Sequence, residues 1–168
     1  MATTYTLISS VTVGSGGAAN IEFTSIPGTY TDLVLKLSGR TTYTGLSYRF
    51  GELQFNGSSA NLSNRVLYGD GTSAISGNDT TIYFYNNTTT ATASTFDNIE
   101  FYIPNYAGST FKSVSLDGVT ENNGTTAIAY LLAGLWSNTA AITSIKLDPN
   151  SGYFVQYSTA YLYGISNA

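Results

Sequence analysis

The sequence contains no cysteine and no histidine. The first absence excludes disulfides and thiolate metal sites. With the second, Ser-His-Asp and Cys-His nucleophilic arrangements become impossible, and so do imidazole zinc centres. Charge is also scarce: 10% of the residues are charged, against about a quarter in an ordinary globular chain. The net charge is −4, and the bases Lys36, Arg40, Arg49, Arg65, Lys112 and Lys146 are scattered. Phosphate binding needs clustered Lys and Arg, so neither nucleic acid nor an anionic membrane is an expected partner. No apolar run approaches the roughly 18 residues of a membrane helix. The opening "MATTYTLISSVTVGSGG" lacks a basic start followed by a long apolar run. No cleaved signal is therefore expected there, and synthesis in a cytoplasm is.

What is present is Ser, Thr, Asn and Gly in place of charge, together with 14 tyrosines. Abundant aromatic and β-branched residues exclude disorder, and 168 residues suffice for one unstapled domain spanning 1–168. The dominant period is two, the spacing of a strand with one buried face. In "TDLVLKLSGR" it places Leu33, Leu35 and Leu37 inward, with Val34 the apolar exception. In "NIEFYIP" it places Ile99, Phe101 and Ile103 inward and Glu100 and Tyr102 outward, and in "KSVSLD" Val114 and Leu116 inward. "TTAIAYLLAGLW" reads as a strand buried on both faces, with Ile128, Tyr130, Leu132 and Trp136 at even spacing and Trp136 a core anchor. Gly51 interrupts the parity between Tyr48/Phe50 and Leu53/Phe55, which a β-bulge or two separate strands would explain. Turn signals ("GSGG", "IPG", Asn56-Gly57, Asp70-Gly71, "PNYAG", "ENNG", "DPNSG") separate the runs, "GSGG" reading as a hairpin turn. The expected fold is all-β: a single antiparallel β-sandwich of eight or nine strands. Residues 2–13 are expected as an extended arm or an edge strand.

Three chemistries survive the missing His and Cys. A glycosidase pair would need two carboxylates across a cleft. Asp97 and Glu100 are three residues apart, however, and so face opposite ways on an extended chain. A Ser-Lys dyad of Ser113 with Lys112 fails likewise, as strand neighbours diverge. Asp70 and Asp79, in "YGDGTSAISGNDT", offer oxygens to calcium but without the spacing of an EF-hand loop, and read as turn residues. No catalytic residue, metal or cofactor is expected.

Two groups of residues are candidates for contacts. The C-terminal alternation puts Tyr153, Tyr157, Tyr161 and Tyr163 on one face with Val155 and Ile165. That face is either sandwich core or a surface for a second copy or another protein, since tyrosine gives a large rigid contact area and a hydroxyl. The segment "NNTTTATAS" (86–94) reads as an exposed loop. With Tyr83, Tyr85, Asn86, Asn87 and Tyr106 it is the candidate for glycan or partner contact.

Across nearly its whole length the chain resembles small virion proteins of tailed bacteriophages, especially cyanophages. The phrases that carry this are "TTYTLISSVTVGSGGAANIEFTSIPGTYTDLVLKLSGR", "FNGSSANLS", "LYGDG", "FYIPNYAGSTFKSVSLDGVTENN", "LWSNTAAITSIKL" and "FVQYSTAYLYGI". The resemblance implies a β-sandwich of jelly-roll type, without enzymatic activity, attached to the virion surface after assembly in the host cytoplasm. It implies most directly a head decoration or cement protein, binding the major capsid protein or another virion protein as a homotrimer at threefold positions. The alternative is a tail-fibre or receptor-binding domain for host surface glycan.

Overall fold

The period-two segments become strands, the C-terminal one only from Thr159 onward, in the computed structural model, which describes residues 4–124 and 126–166. There are twelve: β1 (Tyr5–Thr12), β2 (Ile21–Phe23), β3 (Asp32–Ser38), β4 (Tyr48–Phe55), β5 (Leu62–Gly69), β6 (Ala74–Asp79), β7 (Ile82–Asn87), β8 (Asn98–Pro104), β9 (Lys112–Val119), β10 (Ala129–Trp136), β11 (Ile145–Asp148) and β12 (Thr159–Ile165). No helix occurs among the described residues. The strands form two antiparallel sheets, one ordered β1-β12-β3-β8-β9-β10-β5-β6 and the other β2-β11-β4-β7. The all-β sandwich is thus as expected, with three or four strands more than expected.

The wiring explains the surplus. β1 pairs with β12, β2 with β11, β3 with β8 and β4 with β7. Eight strands are therefore nested like one long hairpin folded into two layers. The other four come from two insertions: the β5–β6 hairpin between β4 and β7, and β9–β10 between β8 and β11. They pair with one another and with β8, widening only the larger sheet. Their inward side chains, including Leu62, Val66, Val114, Leu132 and Trp136, join the same core cluster as Leu33, Phe101, Leu53 and Phe84. The inserted strands also cover the free edge of β7, where the Tyr85 N–H donates to the Tyr130 hydroxyl at 3.0 Å. An uncovered edge is a template for unwanted pairing.

Alternation is realised as read in β3, β8 and β9, whose expected inward residues are buried. Four details differ. β10 is buried on one face only: Tyr130, Leu132 and Trp136 point in, while Leu131 and Leu135 are 61% and 36% exposed. β4 has no bulge, because its register with β7 runs unbroken from Tyr48 to Leu53. Tyr48 and Phe50 simply face away from the core, and Gly51 lies inward beneath the Phe84 ring. Among the described residues the register break falls in β1, between Leu7 and Ser9. Finally, "GSGG" turns the chain (Gly17 N–H to Gly14 C=O, 3.0 Å) but joins strands of different sheets, so it closes no hairpin. β1 is an edge strand; Ala2 and Thr3 of the expected arm lie outside the described residues.

The C-terminal tyrosine stripe is not core. The buried residues are those between the tyrosines: Phe154, Ser158, Ala160 and Leu162. Tyr153 and Tyr157 stand outside any strand, and Tyr157 takes φ 73° in the turn that leads into β12. The inward position Gly164 of β12 is bare because a neighbour fills its space: a Cβ there would lie 2.3 Å from the Tyr30 ring. Tyr161→Ala is accordingly expected to cost less than about 1 kcal/mol in a urea melt, far below the roughly 3–5 kcal/mol of a buried aromatic.

Candidate functional site

The outer face of the eight-stranded sheet is the surface on which these strands display side chains together. Antiparallel register aligns them in rows. One row reads Leu7, Tyr163, Val34, Tyr102 across β1, β12, β3 and β8. Here Tyr5 and Tyr163 meet edge-on at 6.2 Å, the Tyr102 hydroxyl donates to Asp32 at 2.8 Å, and Val34 is buried although it lies outside the core cluster. Mid-sheet, Lys36 and Glu100 form an exposed ion pair of 2.7 Å across β3 and β8. Over the inserted strands an apolar stripe runs along β10, flanked by Arg65, Ser115 and Asp117. Leu67 and Leu131 are direct cross-strand partners, 54% and 61% exposed, and Val119 and Leu135 extend the patch. A shallow groove of about 450 Å³ runs between Leu67, Val119 and Leu131. Exposed apolar side chains gathered on one sheet face are the mark of a protein contact surface.

The candidate residues divide sharply. Tyr161 and Tyr163 lie on this outer face, and Tyr153 and Tyr157, 57% and 69% exposed, lie on the connection before it. The proposed glycan loop is not assembled. Asn86 and Asn87 belong to β7 and are fully buried with Tyr85 and Tyr106, and Tyr83 is half-buried. The segment after β7 is exposed at Thr89, Thr90 and residues 92–94, as expected of a loop, but Arg40 fastens it to the body, its buried guanidinium donating to the carbonyls of Ala91, Thr92 and Thr95. Tyr106 points its hydroxyl at the Pro27 carbonyl. None of these four buried residues can meet a glycan from there.

The chemical alternatives are equally separated. Glu100 is exposed and Asp97 buried, on opposite sides of the sheet. Ser113 is exposed, while Lys112 is buried with its ammonium donating to the Gly108 and Thr110 carbonyls. Asp70 caps its own turn, accepting from the Thr72 and Ser73 N–H groups, and these bonds hold its pKa below the ordinary carboxylate value. Asp79 sits at the far end of β6 and accepts from the Thr80 N–H.

Among the described residues Asp97 is the one buried carboxyl. It accepts from the Gly39 N–H, while its Oδ2 and the Asn86 side-chain amide have no hydrogen-bond partner among the described residues. Both crowd the spot where a Gly39 Cβ would stand, at 3.1 Å. Burial pushes its pKa well above the usual carboxylate range, with the Gly39 and Asn87 backbone bonds opposing. A folded pKa above the unfolded one means that the folded chain holds the proton longer, so stability falls as pH rises above about 4. Asp97→Asn keeps an acceptor for Gly39 and offers a donor beside Asn86. It is expected to flatten that decline and add roughly 1–3 kcal/mol at neutral pH, read from melting temperature against pH for both proteins.

These features define an all-β sandwich with a widened sheet and an apolar outer face, bearing no assembled catalytic constellation among the described residues. No protein-family profile, curated protein or solved structure matches the chain.

Sequence reasoning missed Leu67, Val119, Leu131 and Leu135. Leu131 and Leu135 sit in a continuous apolar run that hid their outward parity; only alternation with Tyr130, Leu132 and Trp136 marked it.

Proposed function

We propose that this chain is a non-enzymatic structural protein of a bacteriophage virion, a head decoration or cement protein that binds the capsid as a symmetric homo-oligomer. The observation that carries this reading is the apolar face that four inserted strands add to the sandwich, a surface with no use inside one copy. The nested pairing of the other eight strands supports a jelly-roll reading, and jelly rolls are an architecture of viral capsid and lectin domains. A fold alone assigns no function; the resemblance to virion proteins of tailed phages, which also implies a trimer at threefold positions, supplies the setting.

Host-glycan recognition at a tail is the second reading, favoured by Tyr153 and Tyr157 alone, both exposed off the sheet. The two part on binding. A decoration protein binds tailless heads stripped of this chain and protects them against thermal rupture. A receptor binder leaves heads unbound and labels the host cell surface.

A further inference from the structure

The inserted strands form a small grid with β10 at its centre. On the outer face Arg65 of β5 and Ser115 of β9 flank Ala133; one step along, Leu67 and Asp117 flank Leu131; one further, Gly69 and Val119 flank Ala129. Arg65 and Asp117 therefore stand on opposite sides of β10, offset by one step of the face. Neither joins an ion pair among the described residues, where the pairs are Lys36–Glu100 and Lys146–Asp148. The bare Gly69 stands opposite Val119.

We infer that this face docks a second copy of the chain about a two-fold axis running along β10. Such an axis exchanges the β5 and β9 columns. It carries the Arg65 of one copy over Ser115 of the other, one step of roughly 7 Å along the strand from Asp117, within reach of an arginine between sheets about 10 Å apart. By symmetry the contact forms twice. Val119 of one copy comes over Gly69 of the other, a large side chain against a missing one, and Leu131 packs near the axis on its own counterpart. A two-fold axis across the strands through the Leu131 row would instead set Arg65 over Gly69 and Asp117 over its own copy, like charge on like. Like residues contacting their complements on one self-complementary patch is the condition for an isologous pair, and opposed charges fix the register.

The pair deepens the proposed function by naming the contact within its oligomer and its number, two in place of the implied trimer. It rests on that reading only for its setting. The test is sedimentation of the purified full-length chain over a range of concentrations. Wild type is expected as a dimer, and Leu131→Asp as a folded monomer with an unchanged melt, since Leu131 is exposed. Arg65→Asp and Asp117→Arg should each weaken the dimer roughly 100-fold by setting like charges together, and the double reversal should restore it. A monomer at every concentration, a trimer, a dimer indifferent to Leu131→Asp, or a double reversal that stays dissociated overturns the pair. None of these bears on whether the chain resides on a virion, which particle localisation decides separately.

Discussion

Trp136→Ala is expected to lower the free energy of unfolding by about 3–5 kcal/mol, a large share of the roughly 5–15 kcal/mol that holds a domain together. Trp136 is the largest fully buried side chain and ends β10, an inserted strand. Its ring meets Phe55 of β4 at 5.4 Å between centroids, tilted 42°, across the two layers. The contact therefore fastens the inserted strands to the smaller sheet, and the truncation opens a cavity there. Urea unfolding followed by circular dichroism measures it. A loss below about 1 kcal/mol would mean that the inserted strands are held without this anchor.

Gly118→Ala is the second large effect, near 3 kcal/mol, the upper end of what one inserted methyl does to a packed core. Gly118 and Tyr130 are direct cross-strand partners, and the Tyr130 ring lies 2.6 Å from where the new Cβ would stand. The ring cannot swing aside. It packs edge-on against Tyr85 at 5.0 Å, and its hydroxyl accepts the Tyr85 N–H. Moving it would also strip the β7 edge of that bond. The cause is separable by a double-mutant cycle: in a Tyr130→Val background, Gly118→Ala should be nearly neutral, because the clash has gone. Equal costs in both backgrounds would place the strain in the backbone instead.

These two sites show what the sequence disclosed and what it hid. Period-two alternation located the strands around Leu35, Phe101 and Leu116, and Trp136 read correctly as a core residue. Parity failed where large and small residues exchange their usual places. In β12 the tyrosines face outward and the inward Gly164 is bare, because Tyr30, distant in sequence, occupies the space over it. The same exchange puts Tyr130 over Gly118. Such pairs join separate segments of the chain and leave no local pattern. The site was less legible than the fold. The polar segment after β7 looked like a free loop because the residue that pins it, Arg40, lies some 50 positions earlier, bonding to Ala91 across 51 residues. Leu131 looked like core because it lies in a run read as buried on both faces; its place in an inserted strand turns it outward, beside Leu67.

The inserted strands are where fold and proposed role meet. They cost the molecule an exposed apolar face, yet they shield β7 and contribute Trp136 and Tyr130 to the core. A decoration protein uses both consequences: a rigid body, and a surface that is satisfied only in an assembly.

The most direct test of the proposed role is cryo-electron microscopy of the phage particle proposed to carry this chain, with the present fold fitted to the density. Density on the head shell, with the outer face of the larger sheet turned into a contact, is the result expected. Density confined to the tail, with that face open to solvent, would contradict the decoration reading.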